Sequence, residues 1–436
     1  MKSSFQTILL VIFGVVFAAA VFIFSGLINI GSGSKSSTTP QGTVVIWGIL
    51  PDSAIAPYLD NFNISSNDYS IRYEYHAPSS LAQDLTVALS NNAQPDLVIY
   101  SSELLSSIKN RLYMIPYAAY SERTYRDTNI DGAQIFLTKD GIAGMPLVVD
   151  PLVVYYNKDI LAKDNFVIPS STWSGMQRTI PILTKRDARN TILQSTIGLG
   201  TAQNIDHLKD ILAALFLQTG NSIVTSDPQT GRPQVVVANT TPGTTESPAA
   251  QALAFYTSFG DPTNSNYTWN NALPSTKTQF IASKSAFYIG RASELFAIQS
   301  QNPNLNFDVA PLFQTDVNAR PMTFGSFIAV DMLKNAPNPV AAYAAVTFLS
   351  SQTSVDALSK SLALPPVRRD LLLVQQSNPY VAIFFKTALS AFGWLDPDPI
   401  ATDTIFQNLV TAVTSGKNDT GTALSNAGRD LQSIVQ

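Results

Sequence analysis

Few residues in this chain have the types and spacing that chemistry needs. Asp396 and Asp398 could form the carboxylate pair of a glycoside-cleaving site. They alternate with Pro397 and Pro399, and loop rigidity is the simpler account. Ser106-x-x-Lys109 matches a four-residue acylation signature, but its Ser-Asp-Asn and Lys-Thr-Gly companions are absent. There is no G-x-S-x-G elbow, no H-E-x-x-H and no Walker lysine. The chain has no cysteine, which excludes thiol catalysis, disulfides, Cys-zinc sites and Cys-lipidation. His76 and His207 are the only histidines, too few for a His-rich metal site. With no nucleophile, base and metal set in view, the sequence favours binding over catalysis. No catalytic residue, metal or other cofactor is expected.

The residues suited to binding stand where strands should end. Thr43 to Trp47 is a short apolar run, followed by Ile55, Tyr58, Leu59 and Phe62 at helical spacing with Asp52 or Ser53 as cap. Ser70 to Tyr75 alternates as a strand. Leu81, Leu85, Ala88 and Leu89 mark a second helix, and Leu97 to Tyr100 a third strand. Strand, helix, strand, helix, strand with short connections implies a parallel sheet. Ligands bind beyond the carboxyl ends of such strands, which singles out Trp47 to Asp52, His76 to Ser79 and Tyr100 to Glu103. Trp47 and Tyr100 either cap the core or offer flat faces to a ligand. Beside them Ser101, Ser102 and Glu103 supply a polar rim, an arrangement that suits a sugar. Trp269, in the polar loop Asn264 to Pro274, is either a ring tucked against the core or a further platform. Ser326 follows Gly325 between apolar residues, where a backbone can approach a ligand closely. Arg291 could hold a carboxylate ligand, or form an ion pair with Asp150 or Glu103.

Asp140 to Leu161 is the most informative stretch. It is apolar and β-branched, as buried extended chain is. Pro146 and Pro151 each lack a backbone donor, so a single uninterrupted central strand is not expected. Asp150 places a carboxylate inside the run. Either two short strands kink around a solvated Asp, or the chain crosses there from one lobe to another with Asp150 facing a cleft.

The remaining pattern is α/β. Ile205 to Phe216 and Ala249 to Phe259 read as helices, and Ile223–Val224 with Val235–Val237 as a hairpin. Phe280 to Glu294 reads as strand, glycine turn and helix start. Phe307 to Pro311 and Phe324 to Val330 read as strands, and amphipathic helices finish the chain. Gly393 to Pro399, which carries Trp394, is a rigid loop. Only 13% of residues are charged and the net charge is −4 with no basic block, so nucleic acid is not an expected partner. Ile8 to Ile30 carries no charge and is long enough to cross a bilayer. An uncleaved anchor is expected. The alternative is a signal sequence cut after Ala18-Ala19-Ala20. Residues 31–42 form a flexible spacer. Its Gly-Ser-Lys-Ser is similar to a phosphate loop only superficially, since it lacks the Gly-Lys pair and a preceding strand.

The order of these segments resembles the family 1 extracellular solute-binding proteins, the maltose-binding-protein-like components of ABC importers. Asp140 to Leu147, Asp150 and Leu152 to Asp159 resemble the family's most specific stretch. Phe280 to Phe287 with Gly290 resembles its F-x-x-G-K-x-A-M…G segment, departing at Ser283 and Phe287. Val309 to Leu312, Gly325-Ser326, Ala341 to Ser351 and Leu364 to Arg369 follow in the family's order. Together they cover roughly residues 43–436.

The resemblance implies an α/β, two-lobed periplasmic-binding-protein-like fold (type II) with crossing hinge strands, preceded here by one transmembrane helix. Residues 1–30 would be the anchor and 31–42 the linker. Lobe 1 would comprise 43–149 and 285–329, lobe 2 150–284 and 330–390. Helices within 391–436 would pack on lobe 1. Crossings would fall near Val149-Asp150, Ser283-Lys284 and Ala329-Asp331. By resemblance Asp150 matches a sugar-contacting carboxylate and Tyr100 an aromatic sugar contact. Trp47, Arg291 and Trp394 lie in segments that line the cleft. The implied function is delivery of a small ligand, a carbohydrate by this resemblance, to ABC permease subunits. The protein would be a single-pass membrane protein with its C-terminal domain extracytoplasmic. The alternatives are a sensing or scavenging binder without transport, and an extracellular glycoside-active enzyme.

Overall fold

The computed structural model describes residues 39–227, 232–240 and 247–435. The expected anchor, Ile8 to Ile30, lies outside the described residues. Among those described, no helix is long and apolar enough to cross a membrane.

The labelled elements of the first half are β1 (Gly42–Gly48), α1 (Asp52–Ser65), β2 (Tyr69–Tyr75), α2 (Leu81–Ser90), β3 (Leu97–Ser101) and β4 (Met145–Asn157). Those of the second half are β5 (Ile192–Ile197), α3 (Leu208–Gln218), β6 (Ser285–Arg291), β7 (Phe307–Pro311), β8 (Thr323–Met332), α4 (Pro399–Thr414) and α5 (Thr420–Ile434). The chain is an α/β protein of two compact units. Unit 1 runs through Val148, then takes Phe327–Leu362 and Pro366–Leu373. Unit 2 comprises Val149–Ser326, Ala363–Pro365 and Val374–Gln436.

Unit 1 is built on the expected parallel β1, β2 and β3, with β1 in the middle. In β1, Val44, Ile46 and Gly48 are buried while Val45 and Trp47 are half-exposed, the two-residue period of a strand with unequal faces. Leu81, Leu85 and Ala88 of α2 are buried at helical spacing. The second half of β8 runs antiparallel to β3, with Ile328 opposite Ser101 and Met332 opposite Leu97.

In unit 2, β4 pairs antiparallel with β6 and β7, and β6 pairs parallel with β5. Leu152, Val154, Trp173, Phe216, Trp269, Phe287 and Phe406 belong to one buried core. α4 and α5 pack together and against α3 and Pro248–Ser258. These C-terminal helices therefore sit in unit 2, not on lobe 1 as expected.

Other expectations change for identifiable reasons. β4 is one strand of 13 residues, buried throughout. The prolines do not break it because both precede its ladder with β6 and β7, whose first pairs are Leu152 with Arg291 and Val153 with Pro311. Their missing donors cost that ladder nothing. Upstream, the bonds go elsewhere: Val149 N–H donates to Pro365 in unit 2, and Val367 N–H to Leu147 in unit 1. The units divide at Val148–Val149 and Ser326–Phe327, and residues 285–326 group with unit 2. No crossing falls at Ser283-Lys284, because β6 is tied to β4 and β5 of unit 2. Phe280 and Ile281 close a helix, Thr276–Ile281, and Ser283 turns the chain at φ 56 into β6. Gly290 lies inside that strand and not in a turn. The hairpin is present as Val224–Ser226 against Pro233–Val235.

Candidate functional site

In unit 1 the carboxyl ends of the parallel strands bring together aromatic and polar groups. Trp47 lies opposite Glu74 in the β1–β2 register, so both side chains emerge on one face. Its indole Nε1 donates to Glu74 Oε2 at 2.8 Å. The His76 ring stacks on Trp47 at 4.1 Å between centroids and 27° between planes. His76 Nδ1 lies 2.8 Å from Asp84 Oδ2, which also accepts from Ser80 Oγ at 2.9 Å. The hydrogen bond with His76 is the main cause holding the Asp84 carboxyl below its ordinary range. Ser101 and Glu103 are half-exposed at the end of β3.

Tyr100 is different. It is fully buried, its hydroxyl donates to the Ala143 carbonyl, and Phe136 meets it edge-on. In this conformation the ring caps the core of unit 1, the first of the two readings its sequence position allows.

Unit 2 gathers charge below its surface. Asp150 is buried, and it accepts from the Ser293 N–H at 3.0 Å and the Ser293 hydroxyl at 2.6 Å. Burial pushes the Asp150 carboxyl up, against the Arg291 charge and the Ser293 bonds. Arg291 pairs with Asp210 through Nε at 2.9 Å and Nη2 at 2.7 Å. An ion pair is one of the readings its sequence position allows, and Asp210 is a partner the sequence does not point to. His207 joins the cluster, with Nε2 3.0 Å from Glu294 and Nδ1 3.6 Å from Asp210. Lys277 reaches Glu294 at 2.7 Å, and the Tyr288 hydroxyl donates to Glu294 at 2.8 Å.

At His207, Asp210 and Glu294 burial opposes the charge, and the neighbours outweigh it. His207 is pushed up to about 9, because the Asp210 and Glu294 carboxylates override the penalty of burial. Glu294 is brought down to about 2 by His207, Lys277 and Tyr288. Asp210 is held well below the usual carboxylate range by Arg291 and His207.

The remaining candidates are enclosed. Trp269 is fully buried, and Trp394 packs on Phe406 in the same core. Neither ring offers a face to solvent. Ser326 is buried in β8 at the end of unit 2. A groove of about 410 Å³ between α4 and α5 is lined by none of the sequence-predicted residues.

His76 falls in a segment the strand ends single out, whereas Glu74, Asp84, His207, Asp210, Lys277, Ser293 and Glu294 carry no such signal in the sequence. His207 and Asp210 stand three apart at a helix start, a pattern that fits an ordinary surface helix equally well. Their partners Lys277 and Glu294 lie dozens of residues away, joined only by the fold. Among the described residues, no group of three or more His, Asp or Glu side chains could hold a metal ion.

No curated protein sequence matches this chain. Solved structures share its fold. A cyclo/maltodextrin-binding protein complexed with maltotetraose superposes with a TM-score of 0.73 at 17% identity, over 92% of this chain and 99% of its own. The cyclic alpha-maltosyl-1,6-maltose binding protein from Arthrobacter globiformis gives 0.71 at 16% identity, over 90% of this chain and 98% of its own. The sugar-binding protein MalE from Xanthomonas citri gives 0.70 at 15% identity, over 90% and 97%. At such identities the likeness is one of fold. The sequence profile described as bacterial extracellular solute-binding protein matches residues 57–384, most of the chain. The chain therefore belongs to the bacterial extracellular solute-binding protein family.

Proposed function

We propose that this chain is the extracytoplasmic binding component of an ABC importer, held at the membrane by residues 8–30, and that it delivers a carbohydrate to permease subunits. The family match over residues 57–384 carries this reading. The carbohydrate class is supported by neighbours of the same fold whose names state that they bind maltodextrins or related sugars. It is further supported by Trp47, a half-exposed ring bonded to Glu74, with half-exposed Ser101 and Glu103 at the end of the neighbouring strand β3. Such a ring packs on the apolar face of a sugar while the polar groups take its hydroxyls. The contacts proposed are Trp47, Ser101 and Glu103, all of unit 1. Asp150 and partly exposed Arg291 of unit 2 are separate candidates. Tyr100, Trp269, Ser326 and Trp394 are enclosed in this conformation, and the proposal does not rest on them.

The test is a thermal-shift screen of the full chain in detergent against maltodextrins, cyclodextrins, mannobiose, amino acids and short peptides. A ligand at 100 times its Kd stabilises by about 2.7 kcal/mol. Trp47→Ala should abolish that shift while leaving the unliganded melting temperature nearly unchanged. Stabilisation by amino acids or peptides, and by no sugar, would remove the carbohydrate assignment. Stabilisation of Trp47→Ala equal to that of the parent would remove the site assignment.

A further inference from the structure

Unit 2 carries an exposed apolar group with no account in the binding reading. Val167 is 86% exposed and Ile168 70%, in the loop after Lys158–Lys163. Ile182 is 42% exposed and Leu193 58%. Two contacts bring the loop and the Ile182 segment together. Asp164 beside the loop pairs with Lys185 at 3.2 Å, and Lys185 Nζ also donates to the Ile182 carbonyl. Leu193 belongs to another face: its strand neighbour Gln194 turns to the Leu183 carbonyl, so Leu193 alternates away. Exposed apolar side chains grouped on a surface invite association unless something covers them.

The charge around them is unlike that of the rest of the chain. Between Lys158 and Leu193 there are 6 Lys and Arg against 3 Asp, whereas the whole chain has 27 basic and 31 acidic residues. Lys163, Arg178 and Arg189 are exposed, and no ion pair holds any of them among the described residues. The acids are occupied: Asp164 by Lys185, Asp187 by the N–H groups of Arg189 and Thr191, and Asp159 by Asn306. Arg178 and Ile182 are four apart, at the entry to and within the short helix Ile180–Leu183.

We propose that this face of unit 2, with Val167, Ile168 and Ile182 as its apolar contacts and Lys163, Arg178 and Arg189 as its cations, rests on an anionic lipid bilayer. Short apolar side chains enter the headgroup boundary, and the uncompensated cations meet lipid phosphates. Neutral lipid would leave those cations without a counter-charge. The site stands apart from the ligand reading and from the proposed anchor.

Because the chain has no cysteine, Val167→Cys gives a unique site for an environment-sensitive fluorophore, and Ile64→Cys a control at another exposed apolar position. The labelled full chain is mixed with nanodiscs of phosphatidylcholine alone or with added phosphatidylglycerol. Attachment to both disc types reports the anchor. A blue shift at position 167 only on anionic discs, with none at 64, reports this face. Lys163→Glu, Arg178→Glu and Arg189→Glu should each lower the shifted fraction about fivefold, and added salt should lower it further. A label at 167 that stays in water on anionic discs overturns the proposal. So does an equal shift on both lipids. Binding of poly-L-glutamate that these three changes abolish, without any shift on lipid, reassigns the face to an acidic protein.

Discussion

His207 should titrate well above the usual histidine range, and the fold should lose stability as it does. Its ring nitrogens face Glu294 at 3.0 Å and Asp210 at 3.6 Å, with Arg291 and Lys277 on the far sides of those carboxylates. The folded value is about 9 against an ordinary 6.5. A raised histidine stabilises the fold fully below the unfolded value and loses that contribution as pH rises through the folded one. The shift corresponds to about 3 kcal/mol, most of it still present at pH 7 and nearly all gone by about pH 10. His207 also holds a left-handed backbone at φ 59, which Asn tolerates better than Ala does. His207→Asn therefore removes the charge while sparing the turn, and leaves Arg291 with Asp210 and Lys277 with Glu294. The chain has two histidines, so ring NMR signals are assignable from one substitution. Two measurements test this: the NMR midpoint of His207, and urea unfolding of parent and His207→Asn between pH 7 and pH 10. The parent should lose about 3 kcal/mol more than the variant over that range. A midpoint at or below 6.5, or parallel stability curves, would refute the reasoning.

Three further outcomes follow from buried groups. Asp331 is fully buried, with Oδ1 accepting from the Met332 N–H at 2.7 Å and Oδ2 unpartnered among the described residues. Burial pushes its carboxyl well above the ordinary range, so the folded state becomes less stable as pH rises past the unfolded value. Asp331→Asn should abolish that decline and raise stability at pH 8 by about 1–3 kcal/mol in urea unfolding; a less stable variant would show that the charge is satisfied. Trp394→Ala removes a ring packed on Phe406 in the core and should cost about 3–5 kcal/mol in the absence of ligand, read by thermal or urea melts. Gly290→Ala would place a Cβ 2.4 Å from Glu294 Oε2 and 2.5 Å from the Tyr288 ring, costing about 1–3 kcal/mol, and His207 NMR should report the disturbed cluster.

Local pattern and global pairing were legible to different degrees. The parallel opening of unit 1 follows from alternation in β1 and β2 and from helical spacing in α1 and α2, all local signals. Unit membership is not local. Residues 285–326 belong with unit 2 because β6 hydrogen-bonds to β4 and β5, strands far earlier in the chain. The aromatic candidates show the same limit. Trp269 in a polar loop and Trp394 among prolines have the neighbours of exposed rings, yet both fill the core of unit 2. Polar flanking residues report the backbone's exposure and say little about where a large ring turns. Trp47 remains half-exposed because it alternates with buried Ile46 and Gly48 on the open face of β1.

Asp150 joins these two levels. Leu152 opposes Arg291 in the antiparallel ladder, and the same register carried two residues further puts Asp150 opposite Ser293. That pairing, set by strands far apart in sequence, explains why both carboxyl oxygens accept from Ser293 while the guanidinium two residues earlier turns to Asp210. Asp150 therefore anchors the turn Arg291–Glu294, and the turn delivers Arg291 and Glu294 to the buried cluster. Each carboxyl oxygen keeps a second lone pair, so acceptance of a ligand hydroxyl is compatible with this geometry. Removing the side chain nevertheless releases the turn before it removes any ligand contact. Loss of binding in Asp150→Ala thus has two causes, and the His207 midpoint separates them. A midpoint that stays near 9 leaves the cluster intact and assigns the loss to the contact, and one that falls assigns it to the turn.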